Sequence, residues 1–184
     1  ERVALFDIIP VAEAFNRADA RFALAYWPWS LLAQPEPLPE RILAAAADAI
    51  VEHALGGWGS PGDVFPGDVR AAYVEALRAP GHAHAICEEY RAAAGIDREH
   101  DQADRAQWRR ITCPLLVLWS ARGPLESWYT AEAGPLALWS PWADDLQGRA
   151  LDAGHFFPEE RPQETADALG RFFAAGPSLS PGPP

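Results

Sequence analysis

The sequence predicts an α/β chain: strands of a parallel sheet, with a long and mostly helical insertion between the first and second. Three observations carry that reading. Two short runs, residues 3–9 and 113–119, are apolar almost throughout, as strands buried on both faces of a parallel sheet are. Residues 11–108, which separate them, hold helical spacing rather than alternation. Strand-length and helix-length patterns then alternate toward the end of the chain, the order that builds a parallel sheet.

The elements follow in order. The first strand, Val3-Ala4-Leu5-Phe6-Asp7-Ile8-Ile9, is stopped by Pro10, and its one charged residue, Asp7, falls near its C-terminal end. Helices are expected over 11–25, 40–55, 68–78 and 82–94, with a loop at Gly56-Gly57-Trp58-Gly59-Ser60-Pro61-Gly62. The second strand, 113–119, breaks at 120–124. Residues 125–142 read as irregular and Trp-rich, and 143–147 as the end of a short helix. A weak third strand at 149–151 leads into Asp152-Ala153-Gly154-His155. Residues 164–174 close the fold as an amphipathic helix with Ala166, Leu169, Phe172 and Phe173 on one side. The expected organisation is a core strand at 1–10, a helical cap at 11–108, the rest of the core at 109–175, and a disordered Pro/Gly/Ser tail at 176–184.

Three strands make a poor sheet, and the first leaves an apolar edge that natural proteins cover. The sequence has no Met and opens at Glu1 straight into the apolar run. Both features are read as a fragment that begins in mid-domain.

Composition bounds the function. With 49% hydrophobic residues in 184, the chain can bury a sizeable core. Its net charge is −11, and all 15 basic residues are Arg, a balance unsuited to nucleic acid or an anionic membrane surface. Cys87 and Cys113 lie far apart and match no metal spacing, which reads as free thiols in a reducing cytoplasm. No apolar run reaches membrane-spanning length.

In open α/β sheets, reactive groups gather at the carboxyl ends of the strands. Asp7 and His155 have that placement, after the first and third strands. A carboxylate that fixes the tautomer of a His makes a general base effective near neutral pH. After the second strand, Ser120-Ala121-Arg122-Gly123-Pro124 offers no acid before Glu126, so Asp7 is the better partner. Other titratable residues carry less. His82 and His84 cannot share a helix face, so a metal pair is not expected. His100 falls in the charged run 97–101, read as solvated surface, and His53 has no partner in view. Arg91 reads as a salt-bridged helix residue. The adjacent pairs Asp144-Asp145 and Glu159-Glu160 point apart, and Gly56-Gly57 lacks the spacing of a phosphate loop. No metal or cofactor is expected.

Four segments are more specific: Phe6-Asp7-Ile8-Ile9-Pro10, Trp29-Ser30-Leu31-Leu32-Ala33-Gln34-Pro35, Cys87-Glu88-Glu89-Tyr90-Arg91-Ala92 and Gly154-His155-Phe156-Phe157-Pro158-Glu159-Glu160. Through them, residues 3–174 resemble the C-terminal part of the fluoroacetate (haloacetate) dehalogenases, a branch of the α/β-hydrolases. In that superfamily the catalytic order along the chain is nucleophile, acid, His, and Asp7 and His155 match the last two. The resemblance implies a partial α/β-hydrolase fold with a helical cap, and hydrolysis of a carbon–halogen bond in a small haloacid with water as co-substrate. It also implies an upstream Asp nucleophile and substrate-binding arginines that this chain lacks, so the chain alone is expected to be inactive. The family's halide pocket uses a His-Trp pair and a Tyr. Trp29 and Tyr90 match, but Pro28 stands where the His is expected. With one donor lost, chloride or bromide is expected ahead of fluoride. Trp58 is a further candidate for the pocket lining, and a homodimer is an assembly compatible with this reading. Two other readings stay open: an epoxide hydrolase-like enzyme using Tyr90 and Tyr26 as donors, and a non-catalytic truncated product acting as a folded binding module.

Overall fold

A computed structural model describes residues 1–175; the tail expected at 176–184 lies outside the described residues. The chain divides into two compact units, one made of Glu1–Ile8 with Arg110 onward, the other of Ile9–Arg109.

The first unit is a three-stranded parallel sheet: β1 (Val3–Phe6), β2 (Leu115–Ser120) and β3 (Leu146–Leu151), in the order β1-β2-β3. Val3 pairs with Leu115 and Ser120 with Leu151, so all three carboxyl ends point the same way. All six residues of β2 are buried, as the central strand of a parallel sheet requires. β3 is longer than its sequence signal, because residues 143–147 do not end a helix. Ala143 bridges to Ile111, and Leu146 begins the strand. Pairing with β2 overrides the weak propensity of this stretch, a tertiary effect that local sequence does not carry.

Residues 124–139 are not irregular either. Pro124 and Pro135 open two short helices, α9 (Pro124–Trp128) and α10 (Pro135–Trp139), each with Pro in the first turn, where a missing N–H costs nothing. After β3 come α11 (Phe157–Glu160) and α12 (Pro162–Ala174). The core gathers Leu116, Leu118, Leu151, Ala153, Phe157, Ala168 and Phe172, with Phe6 edge-on to Phe157 at 5.2 Å. The buried side of α12 is Thr165, Ala168 and Phe172, while Phe173 is 51% exposed. The expected stripe was rotated by about one position, since Ala166 and Phe173 face outward.

The second unit holds eight helices among the described residues: α1 (Val11–Asn16), α2 (Ala20–Ala25), α3 (Trp27–Leu32), α4 (Leu38–Ala45), α5 (Ala47–Gly57), α6 (Gly67–Arg78), α7 (Pro80–Ala94) and α8 (Ile96–Ala106). Two expected long helices are broken. At 11–25 the break comes because Asp19 caps α2, accepting from Phe22 N at 3.0 Å. At 40–55 it comes at Ala46, whose φ of −130° is not helical. The charged run 97–101 lies on α8 and is only partly solvated. Asp101 accepts from Ala12 N at 3.0 Å, and the Arg98 guanidinium stands 5.1 Å from the Phe15 ring centre. Leu32, Leu43, Ala83 and Cys87 form this unit's core.

Candidate active site

Asp7 follows β1 directly and continues its ladder, its N–H donating to Leu118 O at 2.7 Å. Its φ of +47° lies in the left-handed region, which Asp tolerates better than most residues. That turn swings the side chain back across the strand ends. There Oδ1 accepts from the backbone N–H of Ser120 at 2.9 Å. Oδ2 lies 2.6 Å from His155 Nδ1. The carboxylate is 5% exposed, and the imidazole is partly buried. An ionised carboxylate can only accept, so Nδ1 is the donor of this pair and Nε2 is the ring nitrogen turned away from Asp7.

The loops after β2 and β3 are stitched together to hold this pair. Ser120, fully buried, donates its hydroxyl to Ala153 O at 2.7 Å and accepts from Arg122 N at 3.1 Å. Gly154 N donates to Glu160 Oε1 at 2.8 Å, closing the turn that presents His155. Trp139 Nε1 donates to Ile8 O at 2.9 Å and anchors the chain just past Asp7. Gly123 leaves room for this: a Cβ there would stand 2.9 Å from Ser120 Oγ. The other nearby acid, Glu126, is engaged elsewhere, accepting from Trp119 Nε1 at 2.6 Å.

Sequence reasoning reached Asp7 and His155, and the structure brings them together. It missed Ser120 and Glu160. Ser120 had one available signal, a lone hydroxyl ending a fully apolar run. Glu160, as half of an adjacent acidic pair, carries no such signal.

In the helical unit, Trp29 on α3 meets Tyr90 on α7 with ring centres 6.2 Å apart and planes at 77°. Phe15, Phe22 and Tyr26 also surround Trp29. Among the described residues, neither the Trp29 indole nor the Tyr90 hydroxyl donates to a protein acceptor. Burial, with the Glu89 carboxylate second, pushes the Tyr90 phenol up, which keeps it a protonated donor across the neutral range. Trp58 differs: its indole N–H donates to Ala25 O at 3.2 Å. That leaves Trp58 an apolar face to offer, not its donor. Pro28 sits in the first turn of α3 and is buried. Among the described residues, no cluster of three or more His, Cys, Asp or Glu side chains could hold a metal. Among the described residues, no helix is long and apolar enough to cross a membrane.

No protein-family model matches the chain. It is 35% identical over 173 residues to the fluoroacetate dehalogenase of a Burkholderia species, covering 94% of this chain and 55% of that protein. Among solved structures, a Nostoc sp. PCC 7120 protein assigned as an α/β hydrolase superposes with a TM-score of 0.86 at 39% identity, covering 95% of this chain and 58% of that one. A Pseudomonas aeruginosa protein assigned as an epoxide hydrolase gives 0.82 at 34% identity, covering 94% and 57%. The chain thus spans little more than half the length of these relatives, and its sheet is consistent with a C-terminal portion of their fold. It is a homologue of fluoroacetate dehalogenase and carries a partial α/β-hydrolase fold.

Proposed function

We propose that this chain supplies the acid and base of a hydrolase that cleaves carbon–halogen bonds in small haloacids. The observation that carries the reading is the 2.6 Å contact between Asp7 Oδ2 and His155 Nδ1. The nucleophile, an Asp outside the 184 residues, displaces halide from the α-carbon and forms an ester. His155 Nε2 then takes a proton from the water that attacks the ester carbonyl, and Asp7 stabilises the imidazolium. The acyl–oxygen bond breaks, and the 2-hydroxy acid leaves. Trp29 and Tyr90 hold the departing halide, as neutral donors with apolar bodies suit a desolvated anion. Pro28 brings no donor to that site, so a small hard anion such as fluoride is held less well than chloride or bromide.

The test uses the chain joined to its upstream coding sequence, measuring halide release from chloroacetate and fluoroacetate. Chloride release faster than fluoride is expected, with His155→Ala trapping a covalent ester detectable by mass. No release from any haloacetate, or an H155A enzyme as fast as wild type, would overturn the reading. Fluoride release as fast as chloride would remove the Pro28 argument alone.

A second reading, epoxide hydrolysis, is favoured by the similarity to the Pseudomonas protein and by Tyr26 packing against Trp29 with ring centres 6.4 Å apart. Diol formation from a simple epoxide, without halide release, would select it.

A further inference from the structure

Arg91 follows Tyr90 on α7, and its guanidinium reaches three segments of the helical unit. Nε donates to the backbone carbonyl of Gln34 at 2.9 Å. Nη1 donates to Glu88 Oε1 at 2.6 Å, and Nη2 stands 2.8 Å from Glu40 Oε1 as a buried ion pair without hydrogen-bond alignment. Gln34 stands just past the C-terminal end of α3, the helix that carries Trp29. Glu40 lies in the first turn of α4. One planar cation therefore ties α3 and α4 to α7 next to the residue that bears the phenol.

The pairing is well shielded, since the Glu40 and Arg91 side chains keep only 15% and 18% of their exposure. Burial works against the Glu40 charge. Its own nearby backbone N–H and the Arg91 guanidinium outweigh that and hold its carboxyl below the ordinary carboxylate range. The apolar core of this unit, Leu32, Leu43, Ala83 and Cys87 with Tyr90 packed against it, packs without direction. Trp29 and Tyr90 donate to no described residue, so no hydrogen bond of their own sets their spacing.

We infer that Arg91 is a positioning residue: its two hydrogen bonds and its ion pair with Glu40 fix the spacing of Trp29 and Tyr90. Its functional meaning rests on the halide-binding role proposed for those two donors. Lys cannot substitute, because a single ammonium lacks the fixed fork that reaches carbonyl and carboxylates together.

The test uses the 184-residue chain with labelled Trp and Tyr rings, followed by NMR. Without halide, the cross-peak between the Trp29 and Tyr90 rings should weaken in Arg91→Lys, while far-UV circular dichroism stays helical. In Glu88→Gln, which alters only the more exposed partner, the cross-peak should persist. Chloride titration reads the Trp29 indole N–H, with that of Trp58, already donated to Ala25 O, as internal reference. Loss of one charge-assisted fork should weaken chloride binding about fivefold to tenfold in R91K. Should R91K fail to fold, Glu40→Gln, which removes the buried charge that pairs with Arg91, carries the same cross-peak test. An R91K chain with an unchanged cross-peak overturns the inference. A cross-peak lost in R91K, with no saturable chloride response in wild type, supports the clamp and overturns the halide reading instead.

Discussion

Asp7 divides its two oxygens between two tasks, and the left-handed backbone at that residue is what permits the division. Oδ1 is held by the Ser120 N–H, so Oδ2 is aimed at the imidazole rather than free to rotate away. Asp7→Asn separates these tasks. The amide oxygen still accepts from Ser120, leaving the amide nitrogen to face His155 Nδ1. A donor there forces the proton onto Nε2, the wrong tautomer for a base. In the complete enzyme, turnover should fall by roughly 10⁴, the scale known for this substitution in triads, with stability little changed. A D7N enzyme within tenfold of wild type would argue that His155 needs no orienting acid. Both residues were legible in the sequence because each ends a strand-like run. Ser120 offered only a hydroxyl at the end of an apolar run, and no side-chain pattern marks the backbone N–H that it gives Asp7.

At the scale of elements, β3 shows what local sequence could not say. Its residues Leu146-Gln147-Gly148-Arg149-Ala150-Leu151 carry little strand propensity, and only Leu151 is fully buried. What makes the strand is close approach to β2, and Gly148 is where that approach is tightest. A Cβ at Gly148 would stand 2.1 Å from the carbonyl oxygen of Val117 and 3.0 Å from a Leu136 methyl. The first obstacle is backbone in the central strand and cannot step aside. Gly148→Ala should therefore splay β3 from β2 and cost more than the roughly 1–3 kcal/mol typical of an overpacked core. Urea unfolding would read the loss, and amide exchange at Ala150 and Leu151 would quicken. An unchanged midpoint would mean that the two strands are less tightly paired than the register implies. The strong strands, β1 and β2, were legible because they are apolar on both faces. The helical breaks at Asp19 and Ala46 were not, because periodicity carried across each one.

For the whole molecule, acid stability is affected by helical-unit carboxylates whose shifts run in opposite directions. Asp19 is held low by the Phe22 N–H first and by Arg21 second; Glu40 is held low despite its burial. A carboxyl whose folded value is depressed binds fewer protons folded than unfolded. Its contribution is present above the ordinary value near 4 and is lost as pH falls through the folded value. Asp101 runs the other way. Burial raises it, with the Asp97 and Asp104 charges adding to the shift, against the hydrogen bond from Ala12 N. It binds more protons folded, so its contribution is present below the ordinary value and lost as pH rises through the folded one. The two effects partly cancel in wild type on either side of the ordinary carboxylate value, and substitution should separate them. Asp101→Asn removes the opposing group and should make stability fall more steeply on acidification. Glu40→Gln should flatten the same curve, even though breaking its pairing with Arg91 lowers stability at neutral pH. Urea-unfolding free energies followed by far-UV circular dichroism at several pH values would give both slopes. A flatter curve in D101N would show that Asp101 is not charged at a cost in the folded unit, and that its bond to the first turn of α1 outweighs its burial.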